Sequence, residues 1–287
     1  MRRLLVIGAL VLSAAGARGE VSVPLALAKG IPVATLTING TSFPFTFDIG
    51  SGRTIHLTPE VMAKIPRLKL TGRKVKSSDL AGKVREEEEF VIPDLVIDGV
   101  SFGEVKGVSY VPWGLNVGDG AGPPPHSVIG LALFEKQPFV YDQANLKLRF
   151  GAPLMPGGSG EGWREMSHER IQEGIAMKLS NPRASYRLVF DSAANLSIVK
   201  PGPVAAQQDP TTKCELFGPS RPCEYVTATL PDGPVAPGGK VPAIKSYLMP
   251  LPDRFKADGI LGADFFQAYA VYMDLAHRTV ALRATGK

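Results

Sequence analysis

Phe45-Thr46-Phe47-Asp48-Ile49-Gly50-Ser51 and Leu188-Val189-Phe190-Asp191-Ser192-Ala193-Ala194 are the two stretches on which the reading of this chain turns. Each places an aspartate at the end of an apolar run. Each is followed downstream by an apolar pair and a glycine, Val128-Ile129-Gly130 after the first and Ile260-Leu261-Gly262 after the second. An acidic strand end that occurs twice in equivalent settings implies two carboxylates brought face to face by a pseudo-two-fold axis. Two carboxylates that share a proton can activate a water molecule.

The repetition extends beyond the motifs. Residues 126–150 align on residues 258–282 without a gap at an offset of 132, with Gly130/Gly262, Phe134/Phe266, Asp142/Asp274 and Ala144/Ala276 identical. Asp48 and Asp191 are 143 apart, so the intervening loops differ by 11 residues. Internal repetition of this kind organises a fold.

Both copies read mainly as β. Residues 33–38 and 42–47 flank Asn39-Gly40, a strong two-residue hairpin signal. Residues 175–179 and 186–190 flank Asn181-Pro182, which predicts a longer turn. Thr58-Pro59 reads as the cap and first-turn proline of a short helix through Met62. Further short strands are expected over 90–97, 108–111, 139–141 and 271–273. A surface loop is expected over 118–125, and residues 151–162, rich in Gly, Pro and Ser, open a linker. The expected organisation is a leader at 1–19, a first lobe at 20–150, a linker at 151–172 and a second lobe at 173–287. Many short strands and few helices give an all-β, bilobal architecture with a cleft between two β-rich lobes.

Composition narrows the function classes. The 287 residues are 44% apolar and 21% charged, ordinary for a globular protein with substantial cores. The net charge of +5 includes Arg2, Arg3 and Arg18 of the leader, and no basic cluster is interleaved with aromatics, which argues against nucleic-acid binding. Met1-Arg2-Arg3, an apolar run from Leu4 to Ala15 and the small residues around Ala17 make a secretory leader. Its apolar core is shorter than the roughly 20 residues of a spanning helix. The expectation is a periplasmic or secreted protein, a monomer, with no stable membrane insertion once the leader is cleaved.

Export makes Cys214 and Cys223 interpretable as a disulfide around eight intervening residues. Closing so short a loop contributes roughly 2–3 kcal/mol in the chain-entropy model. The four histidines are scattered, so no metal site and no cofactor are expected. There is no Gly-x-Ser-x-Gly elbow, no His-Glu-x-x-His helix and no phosphate loop, and neither Ser51 nor Ser192 has a histidine at motif spacing.

With these motifs in view, the chain resembles the aspartic peptidases, the pepsin and retropepsin-like group. Asp258-Gly259-Ile260-Leu261-Gly262 is close to the family pattern, and Asp48-Ile49-Gly50-Ser51 keeps three of four positions. The resemblance implies an aspartic endopeptidase that hydrolyses a peptide or protein substrate, with Asp48 and Asp191 as the catalytic carboxylates. It assigns support of the two catalytic loops to Gly50, Ser51, Ser192, Gly130 and Gly262, with the Ser51 hydroxyl on the outer oxygen of Asp48. It also implies a flap, for which the hairpin about Leu80, Ala81, Gly82 and Lys83 lies at a suitable distance. Two positions depart from the pattern. Ile49 replaces a hydroxyl that cross-links the loops, and Ala193 replaces the motif glycine. The alternative is a catalytically inactive pepsin-like protein that binds a peptide or protein partner in the same cleft. The acidic run Glu86 to Glu89 reads as a solvated hairpin face, or as a cleft edge suited to basic substrates. Asp142 and Asp274 read as buried acids with structural partners.

Overall fold

The computed structural model describes residues 19–78, 83–113, 126–151, 154, 162–202, 206–214 and 221–286, with only the backbone described at 209–214 and 221–222. The leader up to residue 18, the hairpin-tip residues Leu80, Ala81 and Gly82, the 118–125 loop and most of 151–162 lie outside that set, as does the Cys214 side chain.

The first hairpin forms as its turn residues demand. Strands Ile31–Ile38 and Thr41–Asp48 pair up to Ile38 opposite Thr41, with Asn39 at φ 46° and Gly40 at φ 91°. Two positive φ values in a row are what the right-handed twist of a two-residue hairpin requires. Its counterpart in the second half, Gly174–Asn181 with Ala184–Phe190, is tighter than expected, closing with Asn181 opposite Ala184. The Asn181 side-chain carbonyl accepts from the N–H groups of Arg183 and Ala184, both at 2.9 Å, so it completes the turn that the backbone alone would leave open.

Each aspartate strand is then joined by a parallel partner. Thr41–Asp48 pairs with Ser127–Gly130, placing Asp48 opposite Gly130, and Ala184–Phe190 pairs with Gly259–Leu261, placing Phe190 opposite Leu261. A third short strand lies on the other side of each glycine strand, Ile55–Leu57 in the first half and Ile198–Val199 in the second. All four strands of these parallel pairs are buried near the aspartates, which accounts for their continuous apolar runs. The first half adds the long hairpin Lys69–Ser78 with Val84–Ile97 and the strand Val100–Ser109.

The duplicated segment repeats element by element. Ser127–Gly130, the 3-10 turn Leu131–Phe134, Phe139–Asp142 and Lys147–Phe150 correspond to Gly259–Leu261, the helix Ala263–Ala268, Tyr269–Asp274 and Thr279–Ala284. The two copies meet in antiparallel pairing, with Phe139 opposite Met273, Val140 opposite Tyr272 and Tyr141 opposite Val271. At the offset of 132, Val140 therefore faces its own equivalent, and the pseudo-two-fold axis passes through that pair. Strands from both halves thus share one sheet, with Arg164–Glu165 added at its edge.

The cores of the halves join beneath this sheet. Phe47 packs edge-on against Phe134 and Phe139, Phe190 contacts Phe265 and Phe266, and Tyr141 bridges to Phe266 at 5.0 Å between ring centres. Phe47 and Phe190 immediately precede the two aspartates, so the aromatic core fixes where each carboxylate emerges. Among the described residues no helix is long and apolar enough to cross a membrane.

Candidate active site

Asp48 and Asp191 emerge from their parallel strand pairs into one cavity of about 670 Å³ between the halves. Their carboxyl groups are hydrogen-bonded to each other. Burial raises the Asp48 carboxyl well above its ordinary range, and the charge of Asp191 beside it adds to the rise. Burial also raises Asp191, against opposing hydrogen bonds from the Ala193 N–H, from Asp48 and from the Ala194 N–H. The two carboxyls therefore titrate as a pair that retains a shared proton above the ordinary carboxylate range.

Backbone donors hold one oxygen of each carboxyl. The N–H groups of Gly50 and Ser51 donate to Asp48 Oδ1 at 2.9 and 3.1 Å, and the Ala193 N–H donates to Asp191 Oδ1 at 2.9 Å. Gly50 is needed for space rather than for φ. A Cβ there would lie 2.5 Å from Asp191 Cγ, so a side chain at residue 50 would displace the opposite carboxylate. Gly130 and Gly262 leave room for the loops behind each aspartate: a Cβ would lie 2.8 Å from the Ser51 carbonyl oxygen in one case and from the Ala194 carbonyl oxygen in the other. Ala193 does not take a positive φ, so replacing the motif glycine there brings no backbone strain.

The cross-link between the loops is one-sided. The Ser192 hydroxyl accepts from the Ile49 N–H at 3.1 Å and donates to the Phe47 carbonyl at 2.6 Å, reaching from the second half into the first. Ile49 has no hydroxyl to return these bonds; its side chain is buried in the core instead.

Ser51 differs from the expected arrangement. Its backbone N–H serves Asp48, but its hydroxyl faces His56 Nε2 at 3.0 Å instead of the outer oxygen of Asp48. His56 Nδ1 in turn lies 3.6 Å from Glu87 Oε1, and Ser77 donates to Glu87 Oε2 at 2.9 Å. Burial lowers the His56 pKa, although Glu87 opposes that, so the imidazole is neutral and orders the hydroxyl without adding charge. This chain of contacts ties the candidate flap hairpin, through Ser77 and Glu87, to the loop that follows Asp48. Sequence spacing did not reveal it, because Glu87 and His56 meet only through tertiary packing. The available signal was strand alternation, which turns Arg85 and Glu87 inward and Glu86 and Glu88 outward.

That alternation also resolves the acidic run. Glu86 is exposed beside Lys74 and Lys76, and Glu89 accepts from the Thr71 hydroxyl, so both face their own hairpin. The run is a solvated hairpin face interrupted by one buried member, not an acidic edge of the cleft. Of the flap residues named from sequence, Lys83 is described and exposed, while Leu80, Ala81 and Gly82 lie outside the described residues. Asp142 and Asp274 are structural. Each accepts from the backbone N–H three residues on, Asn145 and His277, both at 3.1 Å, and Asp142 also pairs with Arg283 at 2.9 Å. Cys223 is buried on Arg221–Thr229, whose antiparallel neighbour Gln207–Cys214 carries the other cysteine. Among the described residues no group of three or more His, Cys, Asp or Glu is placed to hold a metal.

No protein-family model matches this sequence, and no curated protein matches it. Solved structures do match. The aspartic proteinase from Irpex lacteus is similar with a TM-score of 0.56 at 13% identity, covering 93% of this chain and 98% of that one. Basic 7S globulin from soybean gives a TM-score of 0.54 at 11% identity over 92% and 95% of the two chains. Conglutin gamma, a basic 7S globulin from lupine seeds, gives 0.55 at 11% over 93% and 95%. A proteinase and two globulins share this architecture, so the likeness speaks to fold and leaves function to the residues of the site. The chain has the bilobal, all-β pepsin-like fold over nearly all of its length.

Proposed function

We propose that the protein is an aspartic endopeptidase that hydrolyses a peptide bond in an extended segment held in the cleft. The observation that carries this reading is the hydrogen-bonded pair of buried carboxyls, Asp48 and Asp191, at one cavity. In the reading, the ionised member of the pair accepts a proton from a water as the water attacks the peptide carbonyl. The proton of the neutral member is hydrogen-bonded to the oxyanion as it develops, and the pair then delivers a proton to the leaving nitrogen. The Gly50, Ser51 and Ala193 N–H groups fix one oxygen of each carboxyl. Residues 1–19 support an exported, periplasmic or secreted location, and Cys214 with Cys223 supports a disulfide between adjacent strands. The working unit is taken as a monomer, because one chain supplies both aspartates.

A second reading keeps the cleft and drops the chemistry: a peptide-binding protein of the same fold. Ile49 favours it, since the loop cross-link is made from one side only. Incubating the mature protein with a mixed peptide library from acidic to neutral pH, beside Asp191→Asn, separates the two. Cleavage by the parent that falls by about 10²–10⁴-fold in the variant is the enzyme result. Peptide binding without cleavage by either protein is the binding result, and it would end the peptidase reading.

A further inference from the structure

Ser51, His56 and Glu87 do more than join the hairpin to the loop, for they stand in the order hydroxyl, imidazole, carboxylate. The Ser51 hydroxyl is 3.0 Å from His56 Nε2, and His56 Nδ1 is 3.6 Å from Glu87 Oε1. Nδ1 and Oε1 are both buried, and neither has a hydrogen-bond partner among the described residues, so a small approach would satisfy both at once. Burial alone would raise the Glu87 carboxyl, but its contacts with His56 and Ser77 bring it below its ordinary range. An ionised Glu87 only accepts. The one N–H of the neutral imidazole therefore belongs on Nδ1, which leaves Nε2 to accept from the Ser51 hydroxyl. The Trp113 ring packs on the imidazole with centres 4.5 Å apart. Ser51 and His56 line the same cavity as an apolar wall of Val189, Ile198, Met249, Phe255 and Ile260 from the second half.

We propose that Ser51 is the nucleophile of a second, serine-type hydrolase centre in the cleft, acting on carboxylic esters of apolar acyl groups. Such constellations recur on unrelated folds and are recognised by geometry, not by position in the chain. Ser51 Oγ bonds to the ester carbonyl carbon while its proton passes to His56 Nε2. The carbon–alkoxy bond then breaks, and His56 returns the proton to the leaving alcohol. Water attacks the acyl-serine in the same way, giving a proton to His56, which passes it to Ser51 Oγ as the acid departs. The net change is ester and water to acid and alcohol. Gly52, also at the cavity, supplies the N–H directly after the nucleophile, the position that serves the oxyanion in other serine hydrolases. Glu87 touches no reacting atom and acts as a positioning residue for the imidazole. The apolar wall takes the acyl chain out of water.

The test uses the mature protein with two probes. An alkyl fluorophosphonate reports the nucleophile: Ser51 Oγ bonds to phosphorus, fluoride leaves, and the hydroxyl proton passes to His56. p-Nitrophenyl butyrate reports turnover by release of nitrophenolate. The expected result is a single phosphonyl adduct, mapped to Ser51 by peptide mass spectrometry, with nitrophenolate released beyond one equivalent. Ser51→Ala should lose both signals, and His56→Gln should slow both by at least about 10²-fold. Burial holds the imidazole below its ordinary pKa, and the charged groups about it are Glu87, Arg53 and Arg85. The labelling rate of the parent should thus fall on acidification with a midpoint below about 6.5. Glu87→Gln should move that midpoint lower, because Glu87 is the one of the three that raises the imidazole. The adduct map and pH profile of the parent decide the matter even where His56→Gln fails to fold. No adduct on the parent, an adduct on another residue, or a labelling rate flat between about pH 4 and 7 would overturn the proposal. Peptide cleavage is read separately. Its absence leaves the Ser51 chemistry standing, and absence of the adduct leaves the peptidase reading standing.

Discussion

Ser192 is the residue on which the joint between the halves depends most directly. Its hydroxyl satisfies a buried N–H and a buried carbonyl of the opposite loop at once. Ser192→Ala leaves both without that partner, which costs roughly 1–3 kcal/mol for the stranded donor. Urea denaturation should show that loss, with cleavage reduced because the two carboxyls are no longer held in register. The aspartates themselves act against stability at neutral pH. Their native pKa values are raised, so the folded state binds protons that the unfolded chain releases, and stability falls as pH rises from about 3.9 through the native values. His56, lowered by burial, works in the opposite sense, with its cost appearing as pH falls below about 6.5. Asp48→Asn should therefore raise the melting temperature at pH 7 by a few degrees and leave it unchanged well below pH 3.9, as calorimetry across that range would record. An unchanged melting temperature at pH 7 would show that the native pKa of Asp48 is not raised.

At the scale of elements, the long hairpin makes the clearest contrast. Glu86 and Glu87 are adjacent, yet one is exposed beside two lysines and the other is fully buried between His56 and Ser77. Glu86→Ala should change stability by no more than about 0.5 kcal/mol, as exposed ion pairs contribute little. Glu87→Ala should cost about 1–3 kcal/mol by stranding Ser77 and His56, and thermal unfolding of the two variants would rank them. Local turn chemistry was readable in advance: Asn39-Gly40 closes a two-residue hairpin because both positions accept positive φ. The second turn is shorter than its residue types imply, because the Asn181 side chain closes it by accepting from the Arg183 and Ala184 N–H groups, which the run of residue types does not show. The Ser51–His56–Glu87 contacts were likewise hidden. They join residues 51, 56 and 87 through strand packing, not through spacing along the chain.

For the whole molecule, the repeat was the most legible feature. A constant offset of 132 along the second half of each copy reappears as matched elements whose central strands pair about Val140 and Tyr272. The symmetry that brings Asp48 to Asp191 was thus written in the sequence. The identity of the residues lining the cleft was not, since they come from several separate segments and strand direction decides which of them face inward. The central claim is that the two carboxyls share one proton, and site-resolved NMR titration of both groups tests it most directly. The account predicts that Asp48 stays protonated well above pH 3.9 in the parent, and that its pKa falls when Asp191→Asn removes the neighbouring charge. An Asp48 carboxyl that titrates near pH 3.9 in both proteins would contradict it.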